Sequence, residues 1–144
     1  MMDLINKIKD ILKNRGYKLT FQRRAVLNSI LQNQEGHLSS EEVYLFVKKD
    51  YSDIGIATVY RTLQLFENLG ILTKLNFNDG VCRYELNFNS EKHQHHHLIC
   101  NRCNSIFEVR VDLLDHLEAE IEKNYNFQIK DHSAKFFGIC SKCK

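Results

Sequence analysis

Two Cys-x-x-Cys pairs, Cys100/Cys103 and Cys140/Cys143, constrain the fold of this chain more than any other feature. Two residues between cysteines let one tight turn present both sulfurs to a single ion, and two such turns supply the four-sulfur set that zinc prefers. Because 36 residues separate the pairs, a shared ion would join distant parts of one domain. Disulfide bridges are the alternative, but they suit secreted chains, and no export signal is visible. We therefore expect a structural Zn(II) site.

The distribution of charge is more informative than the net charge of +2. Residues 7–24 contain seven basic residues and one acid, whereas residues 86–144 contain eight of each sign. A basic segment on a neutral body is typical of contact with nucleic-acid phosphates. Without a supporting motif, the same segment could be a solvated helix face. No membrane span is visible in the sequence, and we expect a cytoplasmic protein.

Hydrophobic periodicity predicts four helices and then a β-hairpin in the first half of the chain. The first helix ends at Gly16, Thr20 caps the second, and Ser39 or Ser40 caps the third. The fourth spans residues 56–68 and ends before Gly70. Period-two segments at 71–77 and 81–86 flank the turn sequence Asn-Asp-Gly at 78–80. Helices followed by one hairpin predict a winged helix-turn-helix.

The second half of the chain predicts a smaller mixed domain. Polar residues 87–94 indicate a hinge. Beyond it, the patterns predict strands at 98–99 and 106–109, a helix at 112–123 and a strand at 127–137. The predicted fold class is therefore α+β, with a winged-helix domain at 1–86, the hinge, and a small α/β domain at 95–144.

The fourth helix carries a polar face suited to reading DNA. Its apolar side consists of Val59, Leu63 and Phe66, and the opposite side is polar. Arginine and glutamine pair with guanine and adenine edges, and a tyrosine ring can contact thymine methyls. Polar faces are common on surface helices, but the position between earlier helices and a predicted wing favours a recognition helix. The projecting residues are Ala57, Tyr60, Arg61, Gln64 and Asn68.

Three motifs, in this order, resemble the ferric uptake regulator (Fur) family. They are Ala-Thr-Val-Tyr-Arg-Thr-Leu at 57–63, Asp-Gly-Val-Cys-Arg-Tyr-Glu-Leu at 79–86, and His-His-His-Leu-Ile-Cys-x-x-Cys at 95–103. The resemblance extends from Gly16 to Cys143. It implies a homodimeric, metal-dependent transcriptional repressor that binds palindromic double-stranded operator DNA, with an N-terminal winged helix and a C-terminal dimerisation domain.

The resemblance also implies individual site residues. Lys18 matches a basic contact to the minor groove, and Arg23 matches an arginine on the phosphate side. The matching regulatory metal ligands come from both halves of the chain: His37, Glu85, His95, His97 and Glu108. A bound ion would tie the two halves at one angle and so set the spacing of the two recognition helices for a palindromic site. An accessory metal set would consist of His96, Asp115 and His132.

The choice of metal follows from the branch that the chain resembles. Imidazole and carboxylate ligands suit Fe(II), Mn(II), Co(II) and Zn(II). Glutamates at 85 and 108, together with Tyr60 and Arg61, resemble the iron-sensing branch, which controls iron uptake genes. The peroxide-sensing branch has aspartates at both positions, and the zinc-sensing branch often uses a cysteine. Zinc, manganese or peroxide sensing thus remain alternatives to Fe(II).

Histidines and carboxylates around a divalent ion are also found in metal-dependent hydrolases. No His-Glu-x-x-His helix, nucleophile elbow or glycine-rich phosphate loop is present, however. We therefore expect no enzymatic activity and no small-molecule substrate.

Overall fold

The computed structural model describes residues 1–33, 37–87, 96–111 and 113–144. The chain divides into two compact units, Met1–Asn89 and Ser90–Lys144. Each unit combines helix and sheet, which confirms the predicted α+β class. Among the described residues, no helix has both the length and the apolar character needed to cross a membrane.

Four helices build the first unit: α1 (Met2–Asn14), α2 (Phe21–Gln32), α3 (Ser40–Asp50) and α4 (Ile56–Asn68). The Thr20 hydroxyl accepts a hydrogen bond from the Arg23 amide, as an N-cap should. Ser39, not Ser40, caps α3, and it forms a reciprocal capping box with Glu42. Gly70 follows the end of α4 with a φ of 71°, the left-handed position that glycine favours. The predicted helix boundaries are thus confirmed.

The hydrophobic core of the first unit lies between these helices and the hairpin. Val59, Leu63 and Phe66 of α4 are fully buried, as their spacing predicted. Ile8 and Leu12 of α1 are also fully buried in this core. Because its apolar side faces the core, α4 must turn its polar side outward.

A three-stranded antiparallel sheet forms the wing of the first unit. Its strands, in spatial order, are β1 (Leu38–Ser39), β3 (Cys82–Leu86) and β2 (Leu72–Asn76). The predicted turn at 78–80 is present, with positive φ at Asn78 and Gly80. The sequence did not predict β1, because two residues are too short to show a period.

The second unit contains a mixed three-stranded sheet and one helix. Strand β4 (His96–Cys100) pairs with antiparallel β5 (Ile106–Val109) and with parallel β6 (Lys135–Gly138), and α5 spans Asp115–Tyr125. The predicted strand at 127–137 was too long, since only residues 135–138 form β6. In the preceding segment, the Ile129 amide bonds instead to the Glu122 side chain. The predicted helix at 112–123 is present with shifted bounds, because residues 113 and 114 are not helical and α5 continues to Tyr125. Residue 112 and most of the predicted hinge, residues 88–94, fall outside the described residues.

Candidate metal sites and nucleic-acid interface

The four cysteines of the two pairs converge in the second unit. One ligand atom from each of Cys100, Cys103, Cys140 and Cys143 lies within 4.8 Å of all the others. The Sγ atoms of Cys103 and Cys140 are 3.7 Å apart. With Zn–S bonds of about 2.3 Å, the edge of a ZnS₄ tetrahedron is about 3.8 Å. The donor set therefore fits a tetrahedral metal ion without rearrangement of these two sulfurs.

Hydrogen bonds around the cysteine cluster stabilise negative charge on sulfur. The Cys140 amide donates to Cys100 Sγ at 3.4 Å, and this is the largest of the effects that lower the pKa of Cys100 to about 6. The Ser105 hydroxyl, 3.1 Å from Cys103 Sγ, lowers the pKa of Cys103. The neighbouring Cys140 side chain raises the pKa of Cys143 to about 12. The lowered pKa of Cys100 thus favours a thiolate before any ion binds, whereas the Cys143 thiol would need a bound cation to lose its proton.

A side chain also ties the two cysteine turns together. The guanidinium of Arg102, inside the first turn, donates to the Cys143 carbonyl at 2.7 Å. A charged donor on a backbone acceptor makes this one of the stronger kinds of hydrogen bond. It holds the second turn against the first independently of any ion.

Two pairs of the expected regulatory ligands form within the separate units. In the first unit, His37 Nε2 lies 3.5 Å from Glu85 Oε2. In the second unit, His97 of β4 is the register partner of Glu108 on β5, and His97 is buried. Each pair offers one imidazole and one carboxylate, the mixed donors that suit exchangeable divalent ions. The fifth expected ligand, His95, lies outside the described residues.

The expected accessory ligands show a different carboxylate partner. His96 is 1% exposed, and its ring centroid lies 5.6 Å from that of His132. The His132 ring bonds closely to the Glu118 carboxylate, whereas the resemblance assigned Asp115. Both acids lie on α5 three residues apart and therefore share a helix face. That spacing was the signal that could have identified Glu118 from the sequence.

All five side chains expected to read DNA are exposed on α4. Tyr60 is 40% exposed, and the other four side chains are exposed as well: Ala57, Arg61, Gln64 and Asn68. The Arg61 guanidinium lies 3.5 Å from the Thr58 hydroxyl one turn earlier. The polar face of α4 is therefore accessible to a binding partner.

The residues that match the minor-groove contact and the phosphate-side contact, Lys18 and Arg23, are linked to each other. Arg23 Nη1 donates to the Lys18 carbonyl at 2.6 Å, and its guanidinium lies 5.5 Å from the centre of the Tyr17 ring. Lys18 itself is exposed. Arg23 thus holds the turn before α2 in place, a contact that the sequence did not predict.

A groove with a volume of about 480 Å³ runs between α4, the start of α3 and the wing. Two of the residues that line it are joined, since the Tyr60 hydroxyl donates to the Glu41 carboxylate at 2.5 Å. This bond lowers the pKa of Glu41 and raises the pKa of Tyr60. Sequence reasoning did not single out Glu41, because two glutamates in a first helical turn resemble ordinary helix-end charges.

Comparisons with known proteins agree with one another. A family model described as the ferric uptake regulator family matches residues 14–137. The ferric uptake regulation protein of Bacillus subtilis is 48% identical over 143 residues, which cover 99% of this chain and 96% of that protein. The ferric uptake regulator of Francisella tularensis, solved with iron, matches with a TM-score of 0.77 and 34% identity over 89% of this chain and 95% of that one. The Helicobacter pylori regulator Fur, for which three functional metal-binding sites are described, has a TM-score of 0.85 and 27% identity over 99% and 92% of the two chains.

Proposed function

This chain belongs to the ferric uptake regulator family of metal-dependent transcriptional regulators, and we propose that it is an Fe(II)-sensing repressor. In this proposal, a homodimer binds palindromic operator DNA when its regulatory site is filled and thereby controls iron uptake genes. The observation that carries the proposal is the exposed polar face of α4 beside a β-hairpin wing. Members of the family regulate transcription and are not enzymes.

The α4 face supports DNA recognition through the major groove. An α-helix fits the major groove, where arginine and glutamine can pair with two atoms of one base. Arg61 and Gln64 lie on that face together with Tyr60 and Ala57. In this proposal, Lys18 contacts the minor groove and Arg23 contacts the phosphate side, and both would help to position the helix on the duplex.

The regulatory ion is proposed to bind the histidine and carboxylate ligands. The resemblance assigns the His37–Glu85 pair, the His97–Glu108 pair and His95 to a single ion. Since the two pairs belong to different units, the bound ion would favour one orientation of the DNA-binding unit relative to the second unit. Its effect on DNA affinity then equals its differential affinity for that orientation.

The four-cysteine cluster is proposed to hold structural Zn(II). An all-sulfur set suits zinc and does not suit exchangeable iron. The 3.7 Å separation of Cys103 and Cys140 sulfurs supports tetrahedral coordination. Zinc there would close the second unit and leave the regulatory site to respond to iron.

A second copy of the chain is the proposed partner of the second unit. The register places Phe107, Leu98 and Phe136 side by side across all three strands, and each is at least 37% exposed. Such an apolar row on a sheet face is typical of a protein interface. Dimerisation through the second unit would present two α4 helices to the two halves of a palindrome.

Two observations support iron as the regulatory ion: the names of related proteins and the type of the proposed ligands. The relatives include an iron-bound regulator of 34% identity, and glutamates stand at positions 85 and 108. Mn(II), Co(II) or Zn(II) can occupy the same donors, so a zinc-, manganese- or peroxide-sensing role is the alternative. The accessory set of His96, His132 and Asp115 is proposed as a further metal site, with Glu118 as an additional carboxylate that bonds to His132. We place the protein in the cytoplasm.

Operator binding against metal concentration tests this function. The zinc-loaded dimer is titrated anaerobically with Fe(II), Mn(II) or Zn(II) while the fluorescence anisotropy of a palindromic duplex is followed. We expect Fe(II) to increase the affinity for the operator duplex within the concentration range at which cells supply Fe(II). Affinity that does not change with any of the three ions would refute metal-dependent regulation, and turnover of phosphoester substrates would favour the hydrolase alternative.

A further inference from the structure

One hydrogen bond joins the proposed recognition helix to the helix beside it. Tyr60 Oη on α4 donates to Glu41 Oε1 on α3, and the two oxygens are 2.5 Å apart. The two residues are 19 positions apart in the sequence. A short bond to an ionised acceptor is among the stronger hydrogen bonds in proteins. The direction of the Tyr60 hydroxyl is therefore set by a residue outside the recognition helix.

The backbone that carries Glu41 is itself fixed. Glu41 lies in the first turn of α3, between Ser39 and Glu42 of the capping box. The Ser39 hydroxyl accepts from the Glu42 amide at 3.2 Å, and the Glu42 carboxylate accepts from the Ser39 amide at 2.8 Å. Ser39 also pairs with Arg83 of the wing. The Glu41 carboxylate thus extends from an anchored turn that links α3 to the sheet.

The bond to Glu41 leaves Tyr60 able to accept a hydrogen bond but not to donate one. A phenol has a single proton to donate, and here that proton points to Glu41. The same bond lowers the pKa of Glu41 and raises the pKa of Tyr60. The carboxylate is consequently ionised and the phenol neutral at neutral pH. The Tyr60 oxygen can then accept from a partner but cannot donate to one.

We propose that Glu41 is a specificity-determining residue for DNA recognition. By accepting the hydrogen bond of the Tyr60 hydroxyl, it leaves Tyr60 to face the base edge with an acceptor oxygen and an apolar ring. The inference rests on the proposed function of α4 as the DNA-reading helix. In the major groove, adenine and cytosine present amino donors, whereas guanine N7 and O6 and thymine O4 are acceptors. An acceptor-only Tyr60 pairs with the amino groups, contacts the thymine methyl through its ring and leaves guanine unsatisfied.

The charge of Glu41 supports a role in discrimination more than in affinity. Glu41 and Glu67 both line the groove between α4 and the wing. An anion there repels DNA phosphates and weakens binding to every sequence. Such a residue gives specificity by exclusion: it lowers the affinity for all DNA and disfavours the wrong base at one position. Glu67 offers a matched control, because it carries the same charge in the same groove and sits on α4 itself.

Selection from a randomised duplex library, with the Mn(II)-loaded dimer, tests the proposal. The base position whose preference is lost in Tyr60→Phe identifies the position that Tyr60 reads. We expect Glu41→Ala to lower the preference at that same position about fivefold to tenfold. Glu41→Gln should keep most of the preference, since its amide oxygen still accepts from Tyr60. Glu67→Ala should raise affinity for all sequences and leave the preferences unchanged.

The outcomes separate this inference from the function on which it rests. A Glu41→Ala profile identical to that of Glu67→Ala would overturn the role of Glu41. A Tyr60→Phe variant with unchanged preferences would overturn it as well. In contrast, a wild-type protein that selects no sequence, or an Arg61→Ala variant that selects like wild type, would refute recognition by α4 itself.

Discussion

Replacing one cysteine of the four-sulfur cluster should unfold the second unit and leave the first unit folded. The perturbation is Cys143→Ser, which removes one of the four proposed zinc ligands. Hydroxyl oxygen is a poor substitute for thiolate in a tetrahedral zinc site. The prediction follows from how differently the two units are stabilised.

The expected magnitude comes from the small core of the second unit. Among its described residues, Ile99 is the one buried apolar side chain outside the cysteine cluster, and α5 buries none. Burial of such a side chain contributes roughly 1.5–3 kcal/mol. Structural zinc contributes about 10–16 kcal/mol in small zinc domains. Loss of the ion should therefore remove most of the free energy of unfolding of the second unit.

Amide hydrogen exchange with zinc analysis measures this effect unit by unit. We expect Cys143→Ser to lose its zinc and to lose protection throughout β4, β5 and β6. Protection of α2 and α4 should persist, because their core belongs to the first unit. Cys82→Ser is the matched control, because this cysteine lies on β3 of the first unit and is not a member of the cluster. Full protection of β4–β6 in zinc-free Cys143→Ser would refute the reasoning.

Three further predictions concern caps, protons and phosphates. Ser39→Ala should lower the free energy of unfolding of the first unit by about 1 kcal/mol, measured by urea denaturation, because it removes the cap of α3. Zinc uptake by the apo protein at neutral pH should release protons and tighten as pH rises, since the pKa of Cys143 is raised to about 12 and its thiol must lose a proton to bind the ion; calorimetry in buffers of different ionisation enthalpy checks this. Lys18→Ala should weaken binding to all duplexes alike and reduce the salt dependence, because it removes a positive charge that neutralises DNA phosphates; anisotropy at several salt concentrations measures this.

The parts of the fold that were predictable from the sequence were those with local signals. The limits of α4 follow from its apolar period and from Gly70, and the hairpin follows from the turn sequence at 78–80. The four-cysteine cluster followed from spacing alone. In each case, the residues that decide the structure lie within a few positions of one another or carry a strongly selective chemistry.

The parts that sequence reasoning missed depend on distant contacts. Strand β1 exists because Leu38 and Ser39 pair with β3, more than 40 positions later, and no local pattern reports that pairing. The bonds from Tyr60 to Glu41 and from His132 to Glu118 likewise join separate elements. Acidic residues occur on many exposed helix turns, so only the packing of two elements identifies which one accepts a bond.

Removal of one histidine tests metal-dependent DNA binding most directly. His97→Ala is compared with wild type and with His116→Ala, which changes an exposed histidine of α5. Operator affinity is measured anaerobically against Fe(II) concentration, with zinc content and dimer mass recorded for each protein. The account predicts that His97→Ala keeps its zinc and its dimer but gains no affinity from Fe(II), whereas His116→Ala responds like wild type. A His97→Ala protein whose operator affinity rises with Fe(II) as in wild type would contradict the proposed sensing site.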